Sequence, residues 1–185
     1  MHSVRHARGP TVGGARRLIG AASTVLMLSA GVALTQLAGP PRVIDGDTLE
    51  VAGQRIRLLG IDAPDLDQVC QHAGRDYPCG TVARAALWDL VAGLDVSCAP
   101  ADRAPAEDDS VLATCTAGDF SLNESMAHAG WALAAPQAPD RYLAAQADAE
   151  QARRGLWRGQ FDPPWEWRQA RSGSGPPPAA AAPGQ

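Results

Sequence analysis

Apolar and polar residues alternate along one stretch of the chain in the way that a half-buried β-strand requires. The alternation is light from Thr48 to Val51 and clear from Gln54 to Leu58, and an apolar run then continues to Ile61. Ala52-Gly53 between the two segments is a turn signal. A period of two on both sides of a short turn predicts a β-hairpin.

Three further segments show the spacing and end signals of helices. In residues 81–91, apolar side chains recur at helical spacing until Gly93. A Ser-x-x-Glu capping box opens the second segment, residues 121–129. The third, residues 139–154, is rich in alanine and ends in two arginines, which suit the C-terminal end of a helix dipole. We therefore expect about three packed helices.

Two short apolar segments, residues 95–98 and 111–116, flank a polar loop and are predicted strands. With the hairpin and the helices, this order predicts an α+β domain, a small β-barrel with helices packed on it. Trp88 and Trp131 lie among apolar residues, and we expect both in the core.

The N-terminal segment carries an export pattern. Residues 1–17 contain four arginines and no acid, and residues 18–38 contain no charge. Positive charge before an apolar run predicts a signal peptide or an N-terminal membrane anchor over residues 1–39. Gly31 and Ala33 form a small-residue site that could be cut, but the apolar run is long enough to remain as an anchor.

The C-terminal residues 172–185 consist of Ser, Gly, Pro, Ala and Gln and are predicted to be a disordered tail. The folded domain is then residues 40–171. We expect it in the periplasm or secreted, with residues 18–38 holding it to the inner membrane if the leader is not cleaved.

The charge of the predicted domain limits its partners. From residue 40 onward, 12 arginines stand against 20 acidic residues, and the chain has no lysine. Affinity for nucleic acid comes mainly from cations that neutralise many phosphates, so this domain is not suited to hold nucleic acid by bulk charge. We expect a monomer, and we expect any nucleic acid or nucleotide to be bound only weakly.

The chain has four cysteines and no Cys-x-x-Cys pair, which argues against a zinc ribbon or a redox motif. Disulfides fit the export pattern. Three connectivities exist, and we favour the two bridges that close short loops, Cys70 with Cys79 and Cys98 with Cys115. The alternatives are four buried thiols in a cytoplasmic protein and a zinc site that includes His72.

Three aspartates are predicted to meet at one end of the hairpin. Asp45 and Asp47 are two residues apart at a strand boundary, so their side chains point to the same side of an extended chain. Asp62 follows the strand that pairs back onto this region, and Pro64 fixes the chain just after it. An anionic, flexible, all-oxygen site suits Ca²⁺ better than zinc or copper.

Arg57 lies on the second predicted strand, close to those acids. Its planar guanidinium can donate two parallel hydrogen bonds to the oxygens of a phosphate. We therefore expect Arg57 beside the cation.

Together these motifs resemble the staphylococcal nuclease (thermonuclease) family. They are Val-Ile-Asp-Gly-Asp-Thr-Leu at residues 43–49, Arg-Leu-Leu-Gly-Ile-Asp-Ala-Pro at residues 57–64, Leu-Asn-Glu at residues 122–124 and Gly-Trp-Ala at residues 130–132. The four cysteines and a Trp-Glu-Trp after two prolines resemble its exported bacterial branch. The resemblance implies a five-stranded OB-type β-barrel with helices, and calcium-dependent cleavage of DNA or RNA phosphodiesters.

The resemblance also implies a role for each matching residue. Asp47 and Asp62 would be direct metal ligands, Ala63 would contribute its backbone carbonyl, and Asp45 would be a nearby acid. Arg57 would bind the scissile phosphate and stabilise its developing charge.

Two positions depart from the family pattern. Asp65 stands where the family has a glutamate general base, and Ser110 stands where it has a second catalytic arginine. Arg103, in the adjacent loop, is a candidate substitute. A phosphoryl-transfer arginine is worth roughly 10³ to 10⁵ in rate, so we expect reduced activity. The alternative is an inactive nuclease-fold module with a binding or structural role in the periplasm.

Overall fold

The protein is described by a computed structural model, which covers residues 36–102, 106 and 108–173. Most of the predicted leader, the candidate Arg103 and the C-terminal tail from residue 174 lie outside the described residues. Within the described part of the chain, no helix has the length and apolar character needed to cross a membrane.

The described residues form short strands and four α-helices, and the first three helices lie where the sequence pattern predicts helices. The strands are β1 (Leu37–Gly39), β2 (Arg42–Val43), β3 (Thr48–Val51), β4 (Gln54–Leu58), β5 (Ile61–Asp62), β6 (Cys70–His72), β7 (Arg75–Tyr77), β8 (Val96–Pro100), β9 (Val111–Ala117), β10 (Phe120–Ser121) and β11 (Leu133–Ala134). The helices are α1 (Cys79–Val91), α2 (Leu122–His128), α3 (Asp140–Gln151) and α4 (Pro164–Ser172), with a 3-10 turn at Gly155–Arg158.

The α+β prediction is confirmed. The main sheet has the order β1-β8-β9-β4-β3-β2, with β10 paired to β9, and it curls into a half-barrel. The predicted hairpin is β3 and β4, whose turn residues Ala52 and Gly53 have φ of 52° and 76°. Such positive values at both turn positions match the right-handed twist of the flanking strands. The additional strands are pairings of two or three residues, which leave little periodic signal in the sequence.

The core lies between the concave face of the sheet and helices α1, α2 and α3. Alternate residues of the hairpin point into it, and the inward side chains of α1 and α2 cover them. The largest side chains that are fully buried there are Leu49, Ile56, Leu58, Leu87, Leu122, Met126 and Tyr142. The prediction for Trp88 is wrong, because this residue is 57% exposed, whereas its neighbour Leu87 takes the buried position on α1. Trp131 is half-buried.

Both predicted disulfides are present, Cys70–Cys79 and Cys98–Cys115. Cys98 and Cys115 are direct partners in the antiparallel pair of β8 and β9. Cys70 begins β6 and Cys79 begins α1, so this bridge closes the β6–β7 hairpin onto the helix. His72 lies on that hairpin with its ring Nδ1 2.9 Å from the Arg158 carbonyl oxygen.

The structured part of the chain extends beyond the central motifs at both ends. β1 begins at Leu37 and pairs with β8, although we placed the start of the domain at residue 40. The C-terminal segment forms the helix α4, which the sequence pattern did not predict. Trp165 of this helix is 37% exposed, so only part of the ring packs against the protein.

Asn123 connects α2 to the two parallel strands of the sheet. Its side-chain oxygen accepts a hydrogen bond from the Cys115 N–H at 2.9 Å. Its amide nitrogen donates to the carbonyls of Leu59 at 2.9 Å and Ala113 at 3.2 Å. The side chain is fully buried, so its removal takes these hydrogen bonds from backbone groups in the protein interior.

We expect Asn123→Ala to lower the free energy of unfolding by about 3 kcal/mol, since it leaves buried backbone groups without partners. Urea denaturation monitored by circular dichroism measures this. The matched control is Glu124→Gln, which alters only an exposed ion pair with Arg141 and should change stability by less than about 1 kcal/mol. Equal effects of the two substitutions would contradict the assignment.

Candidate active site

The carboxylate of Asp47 is buried at the end of the hairpin, with 3% of the residue exposed. Its Oδ1 accepts a hydrogen bond from the Thr48 hydroxyl at 2.8 Å, and its Oδ2 accepts one from the Ala63 N–H at 3.0 Å. The preceding Gly46 allows this packing, since a Cβ there would lie 2.7 Å from the Cβ of Ala63. The Asp-Gly-Asp sequence therefore brings the backbone close to the segment after β5.

Asp62 reaches the same place from β5, which is held against β11 with Asp62 opposite Leu133. Arg57 lies between the two acids. Its Nη2 is 3.0 Å from Asp62 Oδ1 and 3.5 Å from Asp47 Oδ2. Since one nitrogen atom contacts both carboxylates, the structure brings together three of the predicted site residues, Asp47, Arg57 and Asp62.

Asp45 and Ala63 contact Asp47, Asp45 through its side chain and Ala63 through its backbone. Asp45 Oδ1 accepts a hydrogen bond from the Asp47 N–H at 3.0 Å, which closes the turn before β3. Ala63 donates its N–H to Asp47, and its carbonyl remains a predicted metal ligand. Asp45 therefore helps to shape the loop that carries Asp47.

Asp65 follows Pro64 and lies at the edge of the site with its side chain 35% exposed. Its Oδ1 accepts a hydrogen bond at 3.2 Å from Arg168 of α4. The same guanidinium donates to Asp62 Oδ2 at 2.5 Å. Sequence reasoning missed Arg168, because it lies more than 100 residues along the chain from both acids and carries no local motif.

Ser110 occupies the position where the resemblance predicts a second arginine. It is fully buried, and its hydroxyl accepts a hydrogen bond from Arg55 Nε at 3.1 Å. Arg55 also forms an ion pair with Asp108 at 3.2 Å. Ser110 therefore anchors the start of β9 to β4 and carries no positive charge.

The donor set at the acids suits a hard cation. The side chains of Asp47 and Asp62 and the carbonyl of Ala63 offer only oxygen, the ligand that Ca²⁺ prefers. In the described residues, no three His, Cys, Asp or Glu side chains are grouped as a metal site. Arg57 and Arg168 instead neutralise the acids, so a cation would have to replace contacts that these arginines make.

Burial changes the acidity of the site. Desolvation raises the pKa of Asp47 to about 7, although the nearby Arg57 acts in the opposite direction. Desolvation also raises the pKa of Asp65, against the attraction of Arg168. Both carboxyls are therefore easier to protonate than they would be in water.

A cavity of about 550 Å³ opens beside β11. Leu133, the strand partner of Asp62, forms part of its wall. Three aromatic residues, Trp157, Phe161 and Trp165, line it as well. The strand that supports Asp62 thus borders an open, largely apolar space.

The comparisons with known proteins define the family. A family model described as staphylococcal nuclease homologue matches residues 55–159, more than half of the chain. The chain therefore belongs to the staphylococcal nuclease family. The match includes Arg57, Asp62 and Asp65, whereas Asp45 and Asp47 precede it.

Curated relatives cover most of the chain. The succinoglycan biosynthesis protein ExoI of Rhizobium meliloti (strain 1021) is 35% identical over 156 residues, which are 78% of this chain and 77% of that protein. An uncharacterized endonuclease of Escherichia coli is 33% identical over 138 residues, which are 70% of this chain and 83% of that protein. Protein ParB of Escherichia coli is 30% identical over 162 residues, which are 80% of this chain and 89% of that protein. Membership of this family supports a hydrolase of the nuclease class.

With a chelator present, we expect the stability of the wild type to fall as the pH rises from about 4 to about 8. The folded protein holds the Asp47 proton more tightly than the unfolded chain does. This difference contributes fully to the free energy of unfolding below the unfolded pKa of 3.8, and the contribution is lost as the pH rises through the folded pKa of about 7. Asp47→Asn should remove this loss. Between pH 5 and 8, the free energy of unfolding of the wild type should therefore fall by about 3 kcal/mol relative to that of the variant.

Urea denaturation at the two pH values measures this difference. The control is Asp67→Asn, which changes an acid whose side chain is 63% exposed and should leave the pH dependence as it is in the wild type. Parallel pH profiles for the wild type and Asp47→Asn would show that the buried carboxyl is not the source.

Proposed function

We propose that the chain is an exported, calcium-dependent phosphodiesterase that cleaves nucleic acid at a reduced rate. The observation that carries this proposal is the single Arg57 nitrogen in contact with both Asp47 and Asp62. An arginine between two carboxylates can turn to a phosphate once a divalent cation neutralises the acids. The same three residues would then bind the cation and the reacting group.

In this proposal Asp47, Asp62 and the Ala63 carbonyl hold the cation, and Asp45 keeps the loop of Asp47 in place. Bound Ca²⁺ would neutralise charge on the phosphate and draw electron density from phosphorus. Arg57 binds two phosphate oxygens and meets the charge that grows on them in the transition state. Asp65 accepts a proton from the attacking water as the water oxygen bonds to phosphorus. The P–O ester bond breaks, and the leaving oxygen takes a proton from solvent.

The reduced rate follows from the two departures. The carboxylate of Asp65 is one methylene shorter than that of a glutamate, and a displacement of about 1 Å can cost on the order of 100-fold. Ser110 supplies no charge to the transition state. The acidic domain also gives little bulk attraction to a polyanion, so recognition must come from local contacts. The aromatic walls of the cavity beside β11 suit the bases of a single-stranded substrate.

We place the enzyme in the periplasm or outside the cell, as a monomer. Two disulfides suit an oxidising compartment, and the leader has the charge pattern of an export signal. A cut after Ala33 would leave β1 intact, because β1 begins at Leu37. Retention of residues 18–38 would instead hold the domain at the inner membrane.

A second candidate function is a binding module that has lost turnover. It is favoured by the arginine contacts, since Arg57 and Arg168 already neutralise the acids, and by Ser110, which is fully used in a hydrogen bond to Arg55. Such a module would retain the cation site without hydrolysing the ligand.

The full-length chain should cleave single-stranded DNA or RNA with Ca²⁺ and lose this activity with a chelator. Asp47→Ala and Arg57→Ala should each lower the rate at least about 100-fold, because the first removes a ligand of the cation and the second removes the guanidinium that binds the phosphate. Release of acid-soluble nucleotides measures cleavage. The matched control Arg42→Ala removes an exposed ion pair with Glu50 on the same hairpin sheet and should leave the rate within twofold.

Two other results would decide against turnover. No cleavage, together with a calcium-dependent rise in melting temperature that Asp47→Ala abolishes, would favour the binding module. Neither cleavage nor a melting shift would leave a structural role.

Asp65→Glu should raise the rate about 10- to 100-fold, since the longer side chain restores the reach of the general base. The initial rate at saturating substrate measures it. Asp67→Glu, the same change two residues along the chain, should have no effect. An unchanged or lower rate for Asp65→Glu would show that chain length at this position does not limit the reaction.

A further inference from the structure

A second guanidinium reaches the acids from the C-terminal helix. Arg168 Nη2 lies 2.5 Å from Asp62 Oδ2, while Arg57 Nη2 lies 3.0 Å from Asp62 Oδ1. The two arginines thus bind the two oxygens of one carboxylate. Arg168 also donates to Asp65 at 3.2 Å, so it lies between the predicted metal ligand and the predicted general base.

Several contacts fix the helix that carries Arg168. Its first residue, Pro164, is buried. Just before it, the Asp162 carbonyl accepts a hydrogen bond at 2.8 Å from the Gln68 amide. Arg171, one turn after Arg168, forms an ion pair with Asp67 at 3.1 Å. Together with the contact between Asp65 and Arg168, the loop at residues 65–68 therefore holds α4 and the segment before it at three points.

The segment before α4 is anchored as well. Gln71 and Gln160 exchange backbone hydrogen bonds of 2.9 and 2.8 Å, which tie this segment to the β6–β7 hairpin. A Cβ at Gly159 would lie 2.0 Å from the Gln71 carbonyl, so the two chains pass in direct contact. The position of Arg168 therefore depends on packing, and not only on its own ion pairs.

Arg168 can still exchange its partners. Its side chain is 37% exposed, so water screens part of its ion pair with Asp62, whose side chain is 15% exposed. A cation bound at Asp62 would displace the guanidinium from that carboxylate. Because the helix stays in place, the displaced guanidinium would remain within a side chain's reach of a phosphate bound beside Asp62 and Arg57.

The other described arginines near the hairpin are less suitable. Arg55 is held by Ser110 and Asp108. Arg42 forms an ion pair with Glu50 and lies on β2, which β3 separates from Arg57 on β4. Among the described residues, Arg57 and Arg168 are the two cations that contact Asp62.

We propose that Arg168 is the second catalytic arginine of this protein and takes the role that Ser110 cannot fill. It contacts a non-bridging oxygen of the scissile phosphate and stabilises the charge that develops there, opposite Arg57. This rests on the proposed phosphodiesterase function. The bonds that form and break are those of the hydrolysis already described, and Arg168 keeps its protons throughout.

The test compares Arg168→Ala, Arg168→Lys and the matched control Arg171→Ala in the full-length chain with Ca²⁺ and single-stranded DNA. Arg171 is on the same helix and also pairs with an aspartate, so its removal reproduces the structural cost of losing an α4 ion pair. We expect Arg168→Ala to lower kcat about 100- to 1,000-fold with KM within threefold. Arg168→Lys should recover part of kcat, since lysine keeps the charge but not the bidentate geometry. Arg171→Ala should stay within twofold.

Three results with an active wild type would overturn the proposal and leave the phosphodiesterase function standing. Equal kcat for Arg168→Ala and Arg171→Ala would make the contact structural. A change confined to KM would assign Arg168 to substrate binding alone. A rise in kcat would show that Arg168 blocks the acids. A wild type without any cleavage would refute the proposed function itself, and the catalytic role of Arg168 with it.

Discussion

The buried carboxylate of Asp47 connects the parts of the fold on which the site depends. It accepts hydrogen bonds from the hydroxyl of Thr48, the first residue of β3, and from the N–H of Ala63, the residue after β5. It also contacts Arg57 on β4. A charge this deeply buried is costly unless it is paired. The hairpin, the turn at Gly46 and the segment around Pro64 must therefore keep their relative positions, and the same requirement places Arg57 and Asp62 next to one another.

Features that depend on neighbours in sequence were predictable. The β3–β4 hairpin follows from alternation on both sides of Ala52-Gly53, and each disulfide joins cysteines that are only 9 or 17 residues apart. The meeting of Asp47 with Asp62 also follows, since one hairpin register brings the ends of two strands together. For α1 the pattern gave the helix but not its orientation, because apolar residues occupy more than one of its faces, and Trp88 is therefore outside while Leu87 is inside.

Features that depend on distant parts of the chain were not predictable. Arg168 reaches Asp62 and Asp65 only because α4 folds back over the loop at residues 65–68, and a single arginine in a polar helix gives no sign of this. The polar role of Asn123 was likewise invisible. Its Asn-Glu motif indicates a helix start, whereas the structure uses the side chain to hold the parallel strands β4 and β9 at their correct separation.

The Cys70–Cys79 bridge supports the segment that leads to Arg168. It closes the hairpin that Gln160 adjoins, and Gln160 leads into the helix bearing Arg168. Before the disulfide forms, no covalent bond closes the β6–β7 hairpin, and α4 would be held less firmly beside Asp62 and Asp65. Under the proposed role of Arg168, nuclease activity would therefore increase when this disulfide forms, so that oxidation of the protein would itself control when nucleic acid is cleaved.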